Sequence, residues 1–236
     1  MKYITATIVA LSMLWHVQTY AIEEDNLYIF VGEIISYEIT KTEGEFPEEF
    51  PEDRRKSIIH MDTEFTVKYK ILKTFNGSLP RDEVQFKSYG RYKIPPFSKY
   101  DHVLIFLTKI NGELVLIRYQ YFDVYRTSDG NWATCGARDG YLLDDLKEWP
   151  DWYLKNPSDA KIASDQNISY GIEDVNYEIK SCPDQYTMED FYPRKYFDIS
   201  EDEAVCKGIG ITASELVRDH KRLLVEHWSV TGDVVK

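Results

Sequence analysis

The chain has 236 residues, of which 43% are hydrophobic and 14% aromatic, enough for one large domain, or one domain with an appendage, around a real core. Its formal net charge of −12 repels phosphate backbones and argues against nucleic acid as a partner class. Three cysteines allow at most one bridge within the chain and leave one sulfur over.

Residues 1–21 read as a secretory signal. Lys2 supplies the basic end, Ile4 to Trp15 the apolar run, and Thr19-Tyr20-Ala21 a cleavage triplet with an acceptable residue at each end, so cleavage is expected after Ala21 and leaves Ile22 first. The competing reading is an uncleaved anchor, but the apolar run falls short of the roughly 20 residues that a span needs. The signal implies a secreted or periplasmic protein, with no transmembrane segment in the mature chain.

Leu27 to Ile39 is the first strand. Gly32 in its interior marks a bulge or sharp bend, which a small barrel requires. A loop from Thr42 to Lys56 follows, carrying the tandem repeat Glu45-Phe46-Pro47-Glu48 and Glu49-Phe50-Pro51-Glu52. Its prolines and like charges exclude helix and central strand, so it is expected to be exposed, either as a solvated insertion or as a grip in which Phe46 and Phe50 hold a partner.

The best strand runs from Phe65 to Phe75, where Phe65, Val67, Tyr69 and Ile71 alternate with polar residues. Asn76-Gly77 and Pro80 mark a turn, and Val84 and Phe86 face inward from the strand paired with it. Gly90, Pro95 and Pro96 make the stretch from Ser88 to Tyr100, with Tyr89 and Tyr92, an ordered irregular connection. Val103 to Leu107 is an unbroken apolar run, the expected most buried strand. Asn111-Gly112 turns the chain into a fifth strand, Leu114 to Tyr121, and after the turn Ser128-Asp129-Gly130-Asn131 the chain returns Trp132 to the core.

Beyond Gly136 the period shifts toward helix. Asp139 to Trp149 suits a short helix, and Lys155 to Lys180 reads as loop. Ser200 with Glu203 and Thr212 with Glu215 both fit the capping box. The second opens an amphipathic helix with Leu216, Val217, His220, Leu223, Leu224 and His227 on one face and Arg218, Asp219, Lys221, Arg222 and Glu226 largely elsewhere; it is expected to pack on the barrel. The expected class is therefore mainly β with C-terminal helices: a five-stranded OB-like Greek-key barrel in residues 22–136 and a loop-rich helical extension in residues 137–236.

Cys182 with Cys206 is the preferred disulfide, because both lie in the C-terminal half, leaving Cys135 as a buried thiol. Three reduced thiols is the alternative in a reducing compartment, which the signal argues against. No pair has the C-x-x-C spacing of a zinc or redox site.

Phe30-Val31-Gly32-Glu33-Ile34, the run from Phe65 to Gly77, and Val103-Leu104-Ile105-Phe106-Leu107 together resemble the first, second and fourth strands of netrin-like OB modules. That group includes the tissue inhibitors of metalloproteinases and secreted bacterial relatives. The resemblance covers roughly Leu27 to Gly136 and implies the fold. The inhibitors chelate the protease zinc through a cysteine at the mature N-terminus, where this chain is expected to begin with Ile22, and their other cysteines are missing from the strands. No functional residue carries over.

No nucleophile elbow, phosphate-cradling glycine loop or zinc helix is present, and no motif calls for a cofactor or a metal. His220 and His227 lie about 10.5 Å apart along a helix, too far to share one metal directly, and read as half-buried packing histidines. His60-Met61-Asp62 and Asp101-His102 each set an acid beside a histidine just before a strand, the one place where a hydrolase site could hide. The 18 tyrosines suit either a recognition surface or strands. The leading expectation is a module that binds a protein partner through Phe46, Phe50, Tyr89 and Tyr92, ahead of a hydrolase at His60 and His102 or a structural envelope component. Asn76-Gly77-Ser78 and Asn167-Ile168-Ser169 match the N-glycosylation acceptor pattern.

Overall fold

The computed structural model describes residues 20–42, 63–80, 82–90, 94–136, 150–171, 189, 192–227 and 229–230. The five expected strands are present and close into a barrel. They are β2 (Leu27–Thr42), β3 (Thr63–Asn76), β4 (Glu83–Gly90), β5 (Val103–Ile110) and β6 (Glu113–Asp123). Their order around the wall is β2-β3-β4-β6-β5, antiparallel except where β6 meets β4 in parallel at Lys87 and Val115. This is the mainly-β, OB-like barrel with a C-terminal helix that the alternation predicts.

The barrel interior is aromatic. Phe30, Phe65, Tyr69, Phe86 and Phe97 are buried there with Val67, Val84, Val103, Ile105, Leu107 and Leu116. Tyr69 meets Phe86 at 5.7 Å between ring centroids and Phe30 edge-on at 6.2 Å. Phe97 comes from the 3-10 turn Pro96–Lys99 and plugs this cluster, its ring 5.5 Å from Tyr121. The two prolines before it restrict the connection enough to hold that plug in place.

A second core covers the outer face of β2 and β5. Leu27, Ile29 and Val31 alternate with inward-facing Phe30, and Leu104 and Phe106 with Val103, Ile105 and Leu107. Buried on both faces, β5 reads as an unbroken apolar run. The bend in β2 is real: its register against β3 shifts at four places, one of them between Val31 and Gly32. A Cβ at Gly32 would sit 2.7 Å from the backbone oxygen of Lys70 and from the Phe30 ring, so only glycine fits the close approach.

The Asn111-Gly112 turn closes a two-residue hairpin, with φ of 51° and 90° and Ile110 opposite Glu113. Asn76-Gly77 acts differently. β3 runs on to Asn76 to pair with Ile29 of β2, and β4 starts opposite Lys70, so the signal ends a strand instead of closing a tight hairpin.

The second half of the chain holds more strand than its sequence suggests. β7 (Tyr125–Arg126), β8 (Trp132–Thr134), β13 (Ile209–Thr212) and β9 (Asp159–Lys161) form one small sheet in the order β7-β8-β13-β9. β10 (Ser169–Gly171), β12 (Glu203–Cys206) and β11 (Phe197–Ile199) form another, in the order β10-β12-β11. The expected loop from Lys155 to Lys180 thus contains β9 and β10, three residues each, too short to show a period. β1 (Tyr20–Ala21) pairs with β14 (Ser229–Val230).

The two capping-box signals part company. Thr212 caps the helix α1 (Ala213–His227): its Oγ1 accepts from the Glu215 amide at 3.2 Å and donates to Glu215 Oε2 at 2.7 Å. Ser200 and Glu203 instead turn β11 into β12, the Ser200 amide and Oγ both donating to the Glu203 carbonyl oxygen at 2.8 and 3.1 Å. A Ser-x-x-Glu spacing serves a hairpin as well as a helix start, and strand pairing decides which.

The disulfide is corrected. Cys206 pairs with Cys135, not with Cys182, their Cα atoms 6.1 Å apart across 71 residues of sequence. Cys206 ends β12 just before β13, and β13 pairs with β8, which ends just before Cys135. Sheet pairing brings together two cysteines far apart in sequence, and Cys135 is no buried thiol. Cys182 and the helix expected over residues 139–149 lie outside the described residues.

Candidate functional site

One end of the barrel is left unfinished by its own topology. β5 pairs with β2 only from Leu27 to Gly32, so from Glu33 onward β2 has β3 on one side and nothing among the described residues on the other. Opposite Val67 and Phe65, both fully buried, stand Tyr37 and Ile39, which are 39% and 47% exposed. Ile35 sits at the register shift between Ile34 and Ser36 and is 45% exposed. Tyr37 packs edge-on against the Phe65 ring at 6.2 Å, which fixes the base of the row while its outer surface stays open. Ile94, four residues past the end of β4, is exposed too.

The opposite face of this arm is ionic. Glu33 reaches Lys70 at 3.7 Å, Lys68 reaches Glu83 at 2.5 Å, and Lys87 lies 2.9 Å from Glu113 and 3.6 Å from Glu64. Thr40 Oγ1 donates to Glu64 Oε1 at 3.0 Å. These solvated pairs contribute little stability each. They give the arm one charged face and one apolar face.

Tyr89 belongs to the charged face. Opposite Glu64 in register, it is half-buried and donates its hydroxyl to Glu64 Oε2 at 3.1 Å. Burial, then the hydrogen bond to that carboxylate, pushes the phenol up to about 12. Its hydroxyl therefore holds β4 to β3. Phe46, Phe50, Tyr92 and His60 lie outside the described residues. Thr42 and Thr63 are register partners, so the connection carrying Phe46, Phe50 and His60 leaves and rejoins the barrel at this same end.

His102 stands beside Trp132 of the second core. Its ring packs on Trp132 at 4.9 Å, and its carbonyl accepts from the Val124 amide at 3.1 Å. Among the described residues, no group of three His, Cys, Asp or Glu side chains could hold a metal ion.

The sequence placed His220 on the packing face of its helix, but the partners within two buried polar clusters went unsignalled. His220 on α1 is fully buried, with Nε2 2.5 Å from Gln120 Oε1 and Nδ1 3.1 Å from the Tyr153 hydroxyl. The neutral imidazole fits: Nε2–H donates to the amide oxygen and Nδ1 accepts from the phenol. Burial lowers its pKa to about 3. Gln120 turns inward because β6 bulges there, with Tyr119 at φ 59° and Leu116 and Tyr121 opposite Leu107 and Ile105. Asp219, expected on the outer helix face, is buried, accepting from the Leu154 amide at 3.1 Å and pairing with Arg218 at 2.6 Å. The second cluster is Asp123, which accepts from the hydroxyls of Tyr170 and, at 2.8 Å, Tyr125. Both clusters lock the second core to the barrel.

A pocket of about 320 Å³ opens beside Cys206, between Lys161, Gln166, Lys207 and Gly208. Two of its polar walls, Lys207 and Gln166, are engaged in structure. Lys207 donates to the Arg194 carbonyl at 2.7 Å and pairs with Asp198 at 3.3 Å, while Gln166 bonds both backbone groups of Arg126. The feature best formed to meet another molecule is the open end of the barrel. Compared with family models, curated proteins and solved structures, the chain matches none.

Proposed function

We propose that this chain is a secreted or periplasmic recognition module that holds a protein partner at the open end of its barrel. One observation carries the reading: the row of exposed Ile35, Tyr37 and Ile39 on an arm of β2 whose outer edge has no strand beside it among the described residues. A filled aromatic barrel leaves its surface, not its interior, for binding. Tyr89 flanks this end, and the connection with Phe46 and Phe50 departs from it.

The export reading draws support from the Cys135–Cys206 disulfide. Among the described residues, no helix is long and apolar enough to cross a membrane. Ile22, the first residue after the proposed cleavage, is buried at 3% exposure in the second core. A netrin-like relationship is consistent with the OB-like barrel. Inhibition by N-terminal zinc chelation is not part of the proposal, because the first residue expected after cleavage is Ile22 and not the cysteine of the inhibitors.

Affinity capture from extracellular and envelope fractions, with the mature chain as bait, tests the reading. Deleting Glu45 to Glu52 should abolish capture and leave the melting temperature unchanged. Capture that survives the deletion removes the loop from the site, and capture of nothing by either chain refutes recognition of a second protein. Intact mass of the exported chain should place Ile22 first; a retained Tyr20-Ala21 would refute the cleavage site.

A further inference from the structure

The free edge of β2 is self-complementary, and we propose that its occupant is a second copy of this chain, paired edge to edge about a two-fold axis through Tyr37. This rests on the reading of the arm as an interaction surface and names what covers it. A strand edge offers a row of amide and carbonyl groups that only another extended backbone satisfies together. From Glu33 to Thr40 nothing among the described residues takes that role.

The register follows from charge and face. A two-fold axis perpendicular to the sheet keeps each side chain on its own face, so it passes through a residue and not between two. Centring on Glu38 would set Glu38 against Glu38, a like-charge pair, and centring on Ser36 would set Glu33 against Ile39 and Ile34 against Glu38. Centring on Tyr37 sets Tyr37 against Tyr37, Ile35 against Ile39, Ser36 against Glu38 and Ile34 against the uncharged Thr40. Every exposed apolar residue of the arm then meets an apolar residue. The regular stretch Ser36–Ile39 lies between two register shifts, which bend the edge and limit the pairing to this arm.

At about 3.3 Å per residue, positions 34–40 span about 23 Å. That seam is smaller than a standard interface of about 800 Å² per partner, so the dimer should dissociate in the micromolar range. Light scattering on the mature chain, run with Cys182→Ser to remove the third cysteine, should show the mass doubling between roughly 1 and 200 μM, a range that brackets that affinity. In the same background Tyr37→Cys should form a reducible covalent dimer, since facing residues of an antiparallel pair stand about 4.5 to 5.5 Å apart at Cα, within disulfide reach. Ile94→Cys, exposed but off the edge, should not. Ile35→Lys and Ile39→Glu should each lose dimer alone and regain it when mixed, an outcome that misfolding cannot imitate.

A dimer without the Tyr37→Cys cross-link, or without rescue on mixing, overturns the register. A monomer at all concentrations overturns the self-pairing. If that monomer still captures a different protein, recognition at the open end stands without it; if it captures nothing, both readings fall.

Discussion

His220 couples the fold to pH. Its imidazole is fully buried against Phe106 and Phe122, at 4.8 and 5.1 Å between ring centroids, and burial holds its pKa at about 3. In the unfolded chain a histidine titrates near 6.5. Between those values the unfolded state binds a proton that the native state refuses, so acidification favours unfolding. The contribution is fully present above about pH 6.5 and is lost as pH falls toward 3. Integrated from pH 7 to 5, one such histidine costs about 2 kcal/mol of stability. With a urea m-value of about 2.5 kcal/mol/M for a chain of this size, the midpoint should fall by about 0.8 M. The assay is urea unfolding at both pH values, without reductant, on the wild type and on His220→Gln. Glutamine can bond Gln120 and Tyr153 but does not titrate. Asp219 and every other carboxylate are present in both proteins, so their contributions cancel in the difference. The wild type should lose about 2 kcal/mol more than the variant on acidification. Equal losses would refute the buried neutral histidine.

The mature protein, denatured without reductant, should titrate one thiol, lost in Cys182→Ser; three thiols would refute the Cys135–Cys206 bridge. Cys135→Ser opens a loop closed across 71 residues and should cost about 4 kcal/mol by chain entropy, read as a lower urea midpoint. Tyr69→Phe should raise stability by about 1 kcal/mol, because the buried Tyr69 hydroxyl has no hydrogen-bond partner among the described residues. A loss instead would place a bound water on it. Gly32→Ala should cost at least about 2 kcal/mol, since the new methyl meets the backbone oxygen of Lys70; a neutral result would mean that β2 relaxes there.

The chain's acidity, aromatic content and local periods determined much of this protein by themselves. Alternation over Phe65 to Ile71 fixed which face of β3 turns inward, and the unbroken run Val103 to Leu107 announced a strand buried on both sides. Gly32 marked the bend, Asn111-Gly112 the hairpin, and Thr212 with Glu215 the start of α1. These signals are local: a side chain's period, a φ above zero and a cap each act within a few residues. Tertiary structure alone decided which distant segments meet. It joined Cys206 to Cys135 through the pairing of β13 with β8, and made Ser200 and Glu203 a hairpin turn because β11 and β12 lie side by side. It buried His220 against a glutamine 100 residues away, turned inward by a bulge that no composition announces. The exposed arm arose the same way. Ile35, Tyr37 and Ile39 look like core positions in sequence, and they stay open because β5 pairs with β2 only as far as Gly32, where closure of the barrel ends.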